Sequence, residues 1–334
     1  MQSERASPNP AWVDQIRHFY RDFPERVRRI YERLEKPPSL EMRSCTPQVW
    51  KTIGDEIVFC CRLTSLEHLA ACIRTFVDAL EQYGKYLDSV GKLLDVKGYG
   101  WIAAFPSPNV TVPVFSDTKD DEPISDERLT SLPNEALELE ADGYPENFDF
   151  LGKEIDAGFR SGRHCAADRL SLSLELAWLV TKLNGQGQVK GLAFAYDGRQ
   201  ELKGVLSGRP YPIVSIDVER SQTRRNVRER EKVISGNGVS PLPMHIHDFL
   251  ESFIVDEAIE YPILRDTEAD NAVLDLPKSY KDFRINWGAI SEEIMQRSKG
   301  ELEAAIAEPE NQSQELDAAI TKAADELVAR IKNR

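Results

Sequence analysis

Long apolar runs are missing from this 334-residue sequence, whose longest uninterrupted hydrophobic stretch is Ile57 to Cys61. A membrane-spanning helix needs about 20 apolar residues, and nothing resembles a secretory signal peptide. We therefore expect a cytoplasmic protein with no membrane partner. Cysteine is also scarce, with five residues and no CxxC spacing. This predicts buried, reduced thiols, and neither a zinc cage nor a disulfide framework.

Positive charge is in deficit, because 42 lysines and arginines stand against 56 aspartates and glutamates, giving a net charge of −14. General nucleic-acid binding needs a cationic surface that neutralises phosphates, so we expect no nucleic-acid partner. A small anionic ligand is still compatible, since it responds to the local field of a metal ion, an arginine or backbone amides.

The hydrophobic pattern alternates between helices and strands. Apolar residues recur at three- and four-residue steps over 16–34 and 66–80, which predicts two amphipathic helices. Between them, two predicted strands at 49–53 and 57–61 flank a Gly-Asp turn. Residues 94–105 are predicted to form a buried strand.

Residues 116–146 are acidic and contain proline, and we interpret them as a surface insertion. Helices are predicted within 150–163 and 170–183, and β-strands at 191–196 and 211–218. Strands and helices thus alternate over the first 220 residues. This pattern predicts a mixed α/β or α+β sheet with helices packed against it.

The C-terminal part has a different character. Residues 220–238 are polar and arginine-rich, typical of a solvated helix or linker, and 316–331 has the pattern of an amphipathic helix. We therefore predict one domain over 1–219 and a mostly helical extension, with no role assigned to it, over 220–334.

Two short stretches carry residues that could form a site. In KTIGDE (51–56), the turn holds a carboxylate that could bind a divalent cation, although Asp and Gly are also ordinary turn residues. In the stretch 147–160, Asp149, Asp156 and Arg160 are spaced by seven and four residues, so the last two share a helix face. By itself, such a pair is typical of a surface salt bridge.

Together, these stretches resemble the class III nucleotide cyclases, the adenylyl and guanylyl cyclase family. That family has a KTIGD turn with a metal-binding Asp. An aromatic-Asp-x-x-Gly-x-x-(Val/Ile)-Asn-x-x-x-Arg stretch follows roughly a hundred residues later. The resemblance covers about residues 10–215, and WIAAFP at 101–106 and DAGFR at 156–160 are similar to the bacterial pyrimidine (uridylate or cytidylate) cyclases of Pycsar antiphage defence.

The resemblance implies an α+β fold with an antiparallel-rich central sheet flanked by helices, with 1–219 as the catalytic domain. Asp55 matches the second metal-binding aspartate. Lys51 and Asp149 match the residues that contact the base, and Arg160 matches the arginine that meets charge developing on the phosphates. Asp156 stands where the family has a ribose-orienting asparagine, and an Asp accepts hydrogen bonds where an Asn could also donate.

Asp14, about forty residues before Asp55, matches the first metal-binding aspartate. The family places this residue at the end of an apolar strand, whereas here only the three residues AWV precede it. Asp14 could equally be an N-terminal residue of the first helix, where the helix dipole favours an acidic side chain.

The resemblance implies an enzyme, a phosphorus–oxygen lyase that converts UTP or CTP to the 3′,5′-cyclic nucleotide and pyrophosphate. It implies Mn²⁺ or Mg²⁺ as cofactor, a homodimer with composite active sites, and a product that a separate effector protein reads in antiphage defence. Two alternatives stay open. One is an ordinary adenylyl cyclase, because Lys51 and Asp149 are the adenine-reading pair. The other is a degenerate cyclase-like module that binds nucleotide or a partner without turnover.

Overall fold

The computed structural model describes residues 11–34, 42, 45–91, 94–114, 135–167, 169–234, 241–267, 269–270 and 273–286. The chain forms two compact units, Met1–Lys278 and Ser279–Arg334, and every element named below belongs to the first. In chain order these are α1 (Ala11–Glu32), β1 (Gln48–Ile53), β2 (Glu56–Cys60), α2 (Leu66–Ser89), β3 (Gly98–Gly100), β4 (Val110–Pro113), α3 (Glu135–Gly143), β5 (Phe148–Leu151), α4 (Lys153–Ser161), β6 (Arg169–Leu172), α5 (Leu174–Gly185), β7 (Phe194–Gln200), β8 (Tyr211–Asp217), α6 (Gln222–Ile234) and α7 (Pro243–Asp256).

The two predicted N-terminal helices are confirmed as α1 and α2, and they pack against each other. On α1, Phe23, Val27 and Tyr31 are buried and recur one helical turn apart. Phe23 meets Tyr83 of α2 edge-on, with the ring centroids 5.5 Å apart. Aromatic side chains therefore form much of the contact between the helices.

Strands β1 and β2 form the predicted hairpin. They pair antiparallel along their length, ending with Ile53 opposite Glu56. Gly54 occupies the turn with a φ of +62°, a left-handed conformation that glycine adopts without a steric penalty. The Gly-Asp turn therefore places Asp55 at the tip of the hairpin.

The main sheet has four strands in the order β3-β6-β8-β7. Strand β3 pairs parallel with β6, whereas β8 pairs antiparallel with both β6 and β7. Strands β1-β2 and β4-β5 form two further antiparallel pairs. The fold is therefore α+β, with an antiparallel-rich sheet flanked by helices, as predicted.

Helix α5 is apolar on most sides because it lies between β8 and α7. Leu174 and Leu183 of α5 and Leu250 and Ile254 of α7 are all 0% exposed and share one core cluster. This core extends past residue 219, and the first compact unit ends at Lys278. A catalytic domain confined to 1–219 stays a sequence-based prediction.

Two predicted element boundaries are corrected. The strand predicted for 94–105 is confined to Gly98–Gly100, because its partner β6 ends at Leu172, opposite Gly100, where α5 begins. The helix predicted over 170–183 divides into β6 and α5 at Ser173. Its side chain accepts the Leu176 N–H and so caps α5.

The predicted surface insertion at 116–146 is also corrected in part. Within it, residues 135–143 form helix α3, because Leu137 and Ala141 pack against Phe148. The earlier part of the insertion and the predicted C-terminal amphipathic helix lie outside the described residues. In the described part of the chain, no helix combines the length and apolar character needed to cross a membrane.

The arginine-rich segment after β8 is helical and forms α6, which confirms the helix alternative. All five cysteines are free thiols, as predicted; the predicted burial holds for three of them, whereas Cys60 and Cys61 are partly buried.

Candidate active site

Lys51 and Asp149, which lie 98 residues apart in the chain, form an ion pair. Lys51 Nζ is 2.6 Å from Asp149 Oδ1, and the side chains are 34% and 38% exposed. The ammonium also lies 3.9 Å from the centre of the Trp50 ring, a cation–π contact. The two residues predicted to contact a base are therefore brought together at a surface that solvent reaches.

Trp50 fixes β5 next to β1. Its Nε1 donates a hydrogen bond to the carbonyl oxygen of Phe148 at 2.9 Å, and its ring packs against Phe150 with the centroids 4.8 Å apart. Successive side chains of a strand point to opposite faces. Packing Phe148 and Phe150 on one face therefore directs Asp149 to the other.

Helix α4 begins directly after β5, at a position that Asn109 fixes. Gly152, the N-cap, has a φ of 146°, and a β-carbon there would lie 2.3 Å from Asn109 Oδ1. The same oxygen accepts the Glu154 N–H at 3.2 Å, and Asn109 Nδ2 donates to Glu154 Oε2 at 2.7 Å. These bonds set the first turn of α4 and thus the direction of the side chains that follow.

Asp156 and Arg160 share one face of α4, as their spacing predicts. Arg160 Nη2 lies 3.9 Å from Asp156 Oδ2, and the side chains are 34% and 71% exposed. This separation is that of an ion pair and is too long for a hydrogen bond. Arg160 also contacts the loop after β7, where a β-carbon on Gly204 would lie 3.0 Å from Nη1.

The opposite face of α4 packs closely on Trp101. A β-carbon at Gly158 would lie 2.3 Å from the Trp101 ring, and the Phe159 ring is 5.1 Å from that of Trp101 between centroids. Glycine inside a helix costs about 1 kcal/mol relative to alanine. Gly158 thus lowers the stability of the helix but allows α4 to pack closely against Trp101 and Phe159.

Asp55 is partly buried at the hairpin tip, which is tied to two neighbouring elements. Tyr20 of α1 donates its hydroxyl hydrogen to the carbonyl oxygen of Gly54. Tyr99 of β3 donates to Glu56 Oε2 at 2.9 Å. Burial is the largest cause of a raised pKa at Tyr99, and this bond to Glu56 is the next largest. The phenol therefore stays protonated and remains a donor.

Asp14 lies in the first turn of α1, so the short strand considered for the residues before it is not formed. Its side chain is 77% exposed, and its Oδ1 lies 3.4 Å from Arg17 Nη1. Helix α1 reaches the hairpin tip through Tyr20, about 9 Å further along the helix axis. Of the two predicted alternatives, the structure therefore shows an N-terminal residue of the first helix. Metal binding by Asp14 stays a prediction.

The donor chemistry of the hairpin tip fits a hard divalent cation. Carboxylate oxygens are the ligands that Mg²⁺ and Mn²⁺ prefer, and Asp55 supplies one there. Within the described ranges, only Cys61, His68 and Cys72 form a group of three or more potential ligands from His, Cys, Asp and Glu. That group offers sulfur and nitrogen and is a different kind of site.

Sequence reasoning missed the residues that position the site. The apolar strand pattern predicts that Trp50 is buried, and it is 4% exposed, but the pattern does not indicate its hydrogen bond to Phe148. Asn109 and Glu154 are 45 residues apart; Asn109 belongs to no recognisable motif, and Glu154 stands at a variable position of the 147–160 stretch. Their only sequence signal is chemical complementarity, which many other polar pairs share.

Comparison with known proteins yields no family. No protein-family model matches the chain, and no curated protein does. Among solved structures, the chain is similar to the crystal structure of the adenylyl cyclase CyaB from P. aeruginosa, with a TM-score of 0.39 and 12% identity. The match covers 64% of this chain and 86% of that chain. A similarity this weak carries no argument, so a function must be argued from the site residues.

Proposed function

We propose that this chain is a nucleotide cyclase, which converts a nucleoside triphosphate to a 3′,5′-cyclic nucleotide and pyrophosphate. The observation that carries the proposal is the 2.6 Å contact between Lys51 and Asp149. Two stretches that matched a cyclase pattern only by chance would have no reason to bring these side chains together. Their contact, next to the helix that carries Arg160, supports assigning both stretches to one kind of site.

The pair formed by Lys51 and Asp149 is suited to contact a base. An ion pair this exposed contributes about 0–1 kcal/mol, so a ligand can replace part of the contact at small cost. Lysine donates to a ring carbonyl, and a carboxylate accepts from an exocyclic amine or a ring N–H. Uracil and cytosine both have such groups. We prefer UTP or CTP as substrate because residues 101–106 and 156–160 resemble the pyrimidine cyclases.

The reaction needs positioning and charge compensation more than a protein nucleophile. The ribose 3′-oxygen attacks the α-phosphorus in line, and pyrophosphate leaves. Arg160 presents a permanent, planar cation that can bond two phosphate oxygens at once. Asp156, one turn earlier on the same face, would accept a hydrogen bond from a ribose hydroxyl.

Asp55, together with Asp14, would hold Mn²⁺ or Mg²⁺. When bound, such ions activate the attacking hydroxyl and neutralise charge on the triphosphate. The contribution of the chain is to fix Asp55, through the tight turn at Gly54 and the hydrogen bond from Tyr20.

A homodimer with composite sites is part of the proposal. Val112 lies directly opposite Asp149 in the β4-β5 pair, and Leu151 lies two residues along the same face. These apolar side chains are 40% and 47% exposed. Exposed apolar residues beside a polar site suit a protein partner. A second copy of the chain would cover them and bring its own catalytic groups to the site.

The resemblance to the pyrimidine cyclases also suggests a biological role for the product. A cyclic pyrimidine nucleotide would act as a second messenger in antiphage defence, and a separate effector protein would read it.

Incubation with each of the four ribonucleoside triphosphates and Mn²⁺, followed by mass spectrometry, tests the function. We expect cyclic UMP or cyclic CMP with pyrophosphate, and no product after chelation of divalent ions. Arg160→Ala should remove the activity, whereas Arg163→Ala, at an exposed arginine three residues later, is the matched control. Cyclic AMP as main product would favour an adenylyl cyclase. Nucleotide binding without any product would contradict an enzyme.

The base assignment makes its own prediction. Lys51→Met and Asp149→Asn should each change the ratio of pyrimidine to purine cyclisation by about 10-fold, because each removes a charged partner of the base. The Mn²⁺ concentration that gives half-maximal rate should change less. Lys153→Met, at an exposed lysine on α4, serves as control. An equal loss with all four triphosphates would instead make Lys51 and Asp149 structural residues.

A further inference from the structure

A compact cluster of sulfur and nitrogen ligands lies apart from the residues assigned to the nucleotide. Cys61, His68 and Cys72 each offer one ligand atom, and these atoms all lie within 4.8 Å of one another. The two Sγ atoms are 3.6 Å apart. His68 is 0% and Cys72 is 6% exposed, and Cys61 is partly buried. We propose that this cluster is a zinc-binding site.

The distance between the two sulfur atoms is close to the one that zinc requires. With Zn–S bonds of about 2.3 Å and a Zn–N bond of about 2.0 Å, tetrahedral angles place two sulfurs about 3.8 Å apart, and a sulfur and a nitrogen about 3.5 Å apart. The Sγ atoms of Cys61 and Cys72 are 3.6 Å apart, and the His68 ligand nitrogen lies within 4.8 Å of both. Zinc binding would draw the imidazole about 1 Å or less towards the two sulfurs.

Local structure explains why these three residues meet. His68 and Cys72 are four residues apart on α2, and such positions are neighbours on one helix face. Ser65 Oγ accepts the His68 N–H at 3.1 Å, so this end of the helix is capped. Cys61 directly follows the last residue of β2. The cluster therefore joins the end of the hairpin to the first turns of α2.

Thr64 also contacts the ring of His68. Its Nδ1 accepts the Thr64 N–H at 3.3 Å and lies 3.2 Å from Thr64 Oγ1. Zinc binding through Nε2 requires the ring proton on Nδ1, so Nδ1 would then donate to Thr64 Oγ1 and the bond from the Thr64 N–H would be lost.

The ligand charges suit a buried zinc ion. Two thiolates and a neutral imidazole around Zn²⁺ give a net charge of zero, which can be buried without a further counter-ion. Sulfur and nitrogen ligands also select zinc over magnesium and calcium.

Such an ion would have a structural role. It would tie β2, and with it the hairpin that carries Asp55, to α2. Three protein ligands leave a fourth position for water. The proposal does not depend on the reaction proposed above, since it concerns only the ion and the stability of the fold.

Titration of the reduced, chelator-treated full-length protein with Co²⁺, then with Zn²⁺, tests the site. We expect about one Co²⁺ per chain to give thiolate charge-transfer absorption and tetrahedral d–d bands, which Zn²⁺ then removes. An ion at the Asp55 carboxylate gives no sulfur band, so the two kinds of site are distinguishable. Zinc should also raise the melting temperature by about 5 °C or more.

Substitutions of single cysteines show which thiols bind the metal. Cys72→Ala and Cys61→Ser should lose both the sulfur band and the zinc-dependent rise in melting temperature. Cys60→Ala is the matched control, because Cys60 packs with Trp50 and Val58 in a different cluster; it should retain both. The proposal is wrong if the reduced wild-type protein shows no sulfur band with Co²⁺, or if Cys60→Ala loses it as fully as Cys72→Ala.

Discussion

Asp55→Ala is expected to lower the rate of cyclic nucleotide formation about 100-fold or more, because the carboxylate at the hairpin tip is the proposed ligand of the catalytic cation. The protein should remain folded, since Asp55 lies in a surface turn and contributes little packing. Asp55→Asn is the sharper variant because it keeps the size of the side chain and removes its charge. The rate is measured by mass spectrometry of the product, and folding by thermal melting.

Thr52→Ala is the control for Asp55, because Thr52 is exposed on the same hairpin and offers no carboxylate. Near-normal turnover by Asp55→Asn would contradict the metal assignment. Asp14→Ala is the companion test. If Asp14→Ala is harmless while Asp55→Asn is inactive, the protein uses another first carboxylate, or Asp55 alone. Asp14 is tested separately because it lies in a helix, not at the end of a strand.

The parts of the fold that the sequence predicts well are those that short-range patterns determine. The apolar spacing of α1 and α2 is a helical repeat, and it reports directly which face is buried. The Gly-Asp turn between two β-rich segments is sufficient for the hairpin, since turn chemistry and strand pattern agree there. The spacing of Asp156 and Arg160 likewise predicts a shared helix face.

The parts that the sequence does not predict depend on distant contacts. The packing of Leu137 and Ala141 on Phe148 makes α3 a helix, although its acidic composition is typical of a surface loop. Residues around Trp101 are as apolar as a strand, but the ladder ends at Gly100 because the neighbouring strand β6 ends opposite it. Such outcomes depend on partners that lie far away in the chain, and local pattern contains no information about them.

The site shows the same division. Motifs indicate Lys51 and Asp149, but only the structure shows that they touch. The cysteine cluster is the opposite case, because the absence of CxxC spacing argues against a zinc site. Cys61 lies in an apolar run, and its ligand partners lie on a separate helix. Four-residue spacing of His68 and Cys72 is the one local signal, and it is too common to use alone.

Mixed dimers of two inactive variants are expected to regain activity, and this result tests the proposed architecture. In a symmetric homodimer with composite sites, one subunit supplies Asp55 and the other supplies Arg160 to each site. Homodimers of Asp55→Ala, and of Arg160→Ala, should each be inactive because every site lacks one group. In the mixed dimer, one site contains both lesions and the other contains neither.

The intact site arises because its Asp55 comes from the Arg160→Ala chain and its Arg160 from the Asp55→Ala chain. Co-expression of the two variants with different affinity tags, followed by sequential purification on both tags, isolates the mixed dimer. Its activity should approach half that of the wild-type dimer. Mixing two copies of the same variant under the two tags is the control and should remain inactive. If the isolated mixed dimer is inactive, Asp55 and Arg160 serve the same subunit's site, or they are not partners in catalysis.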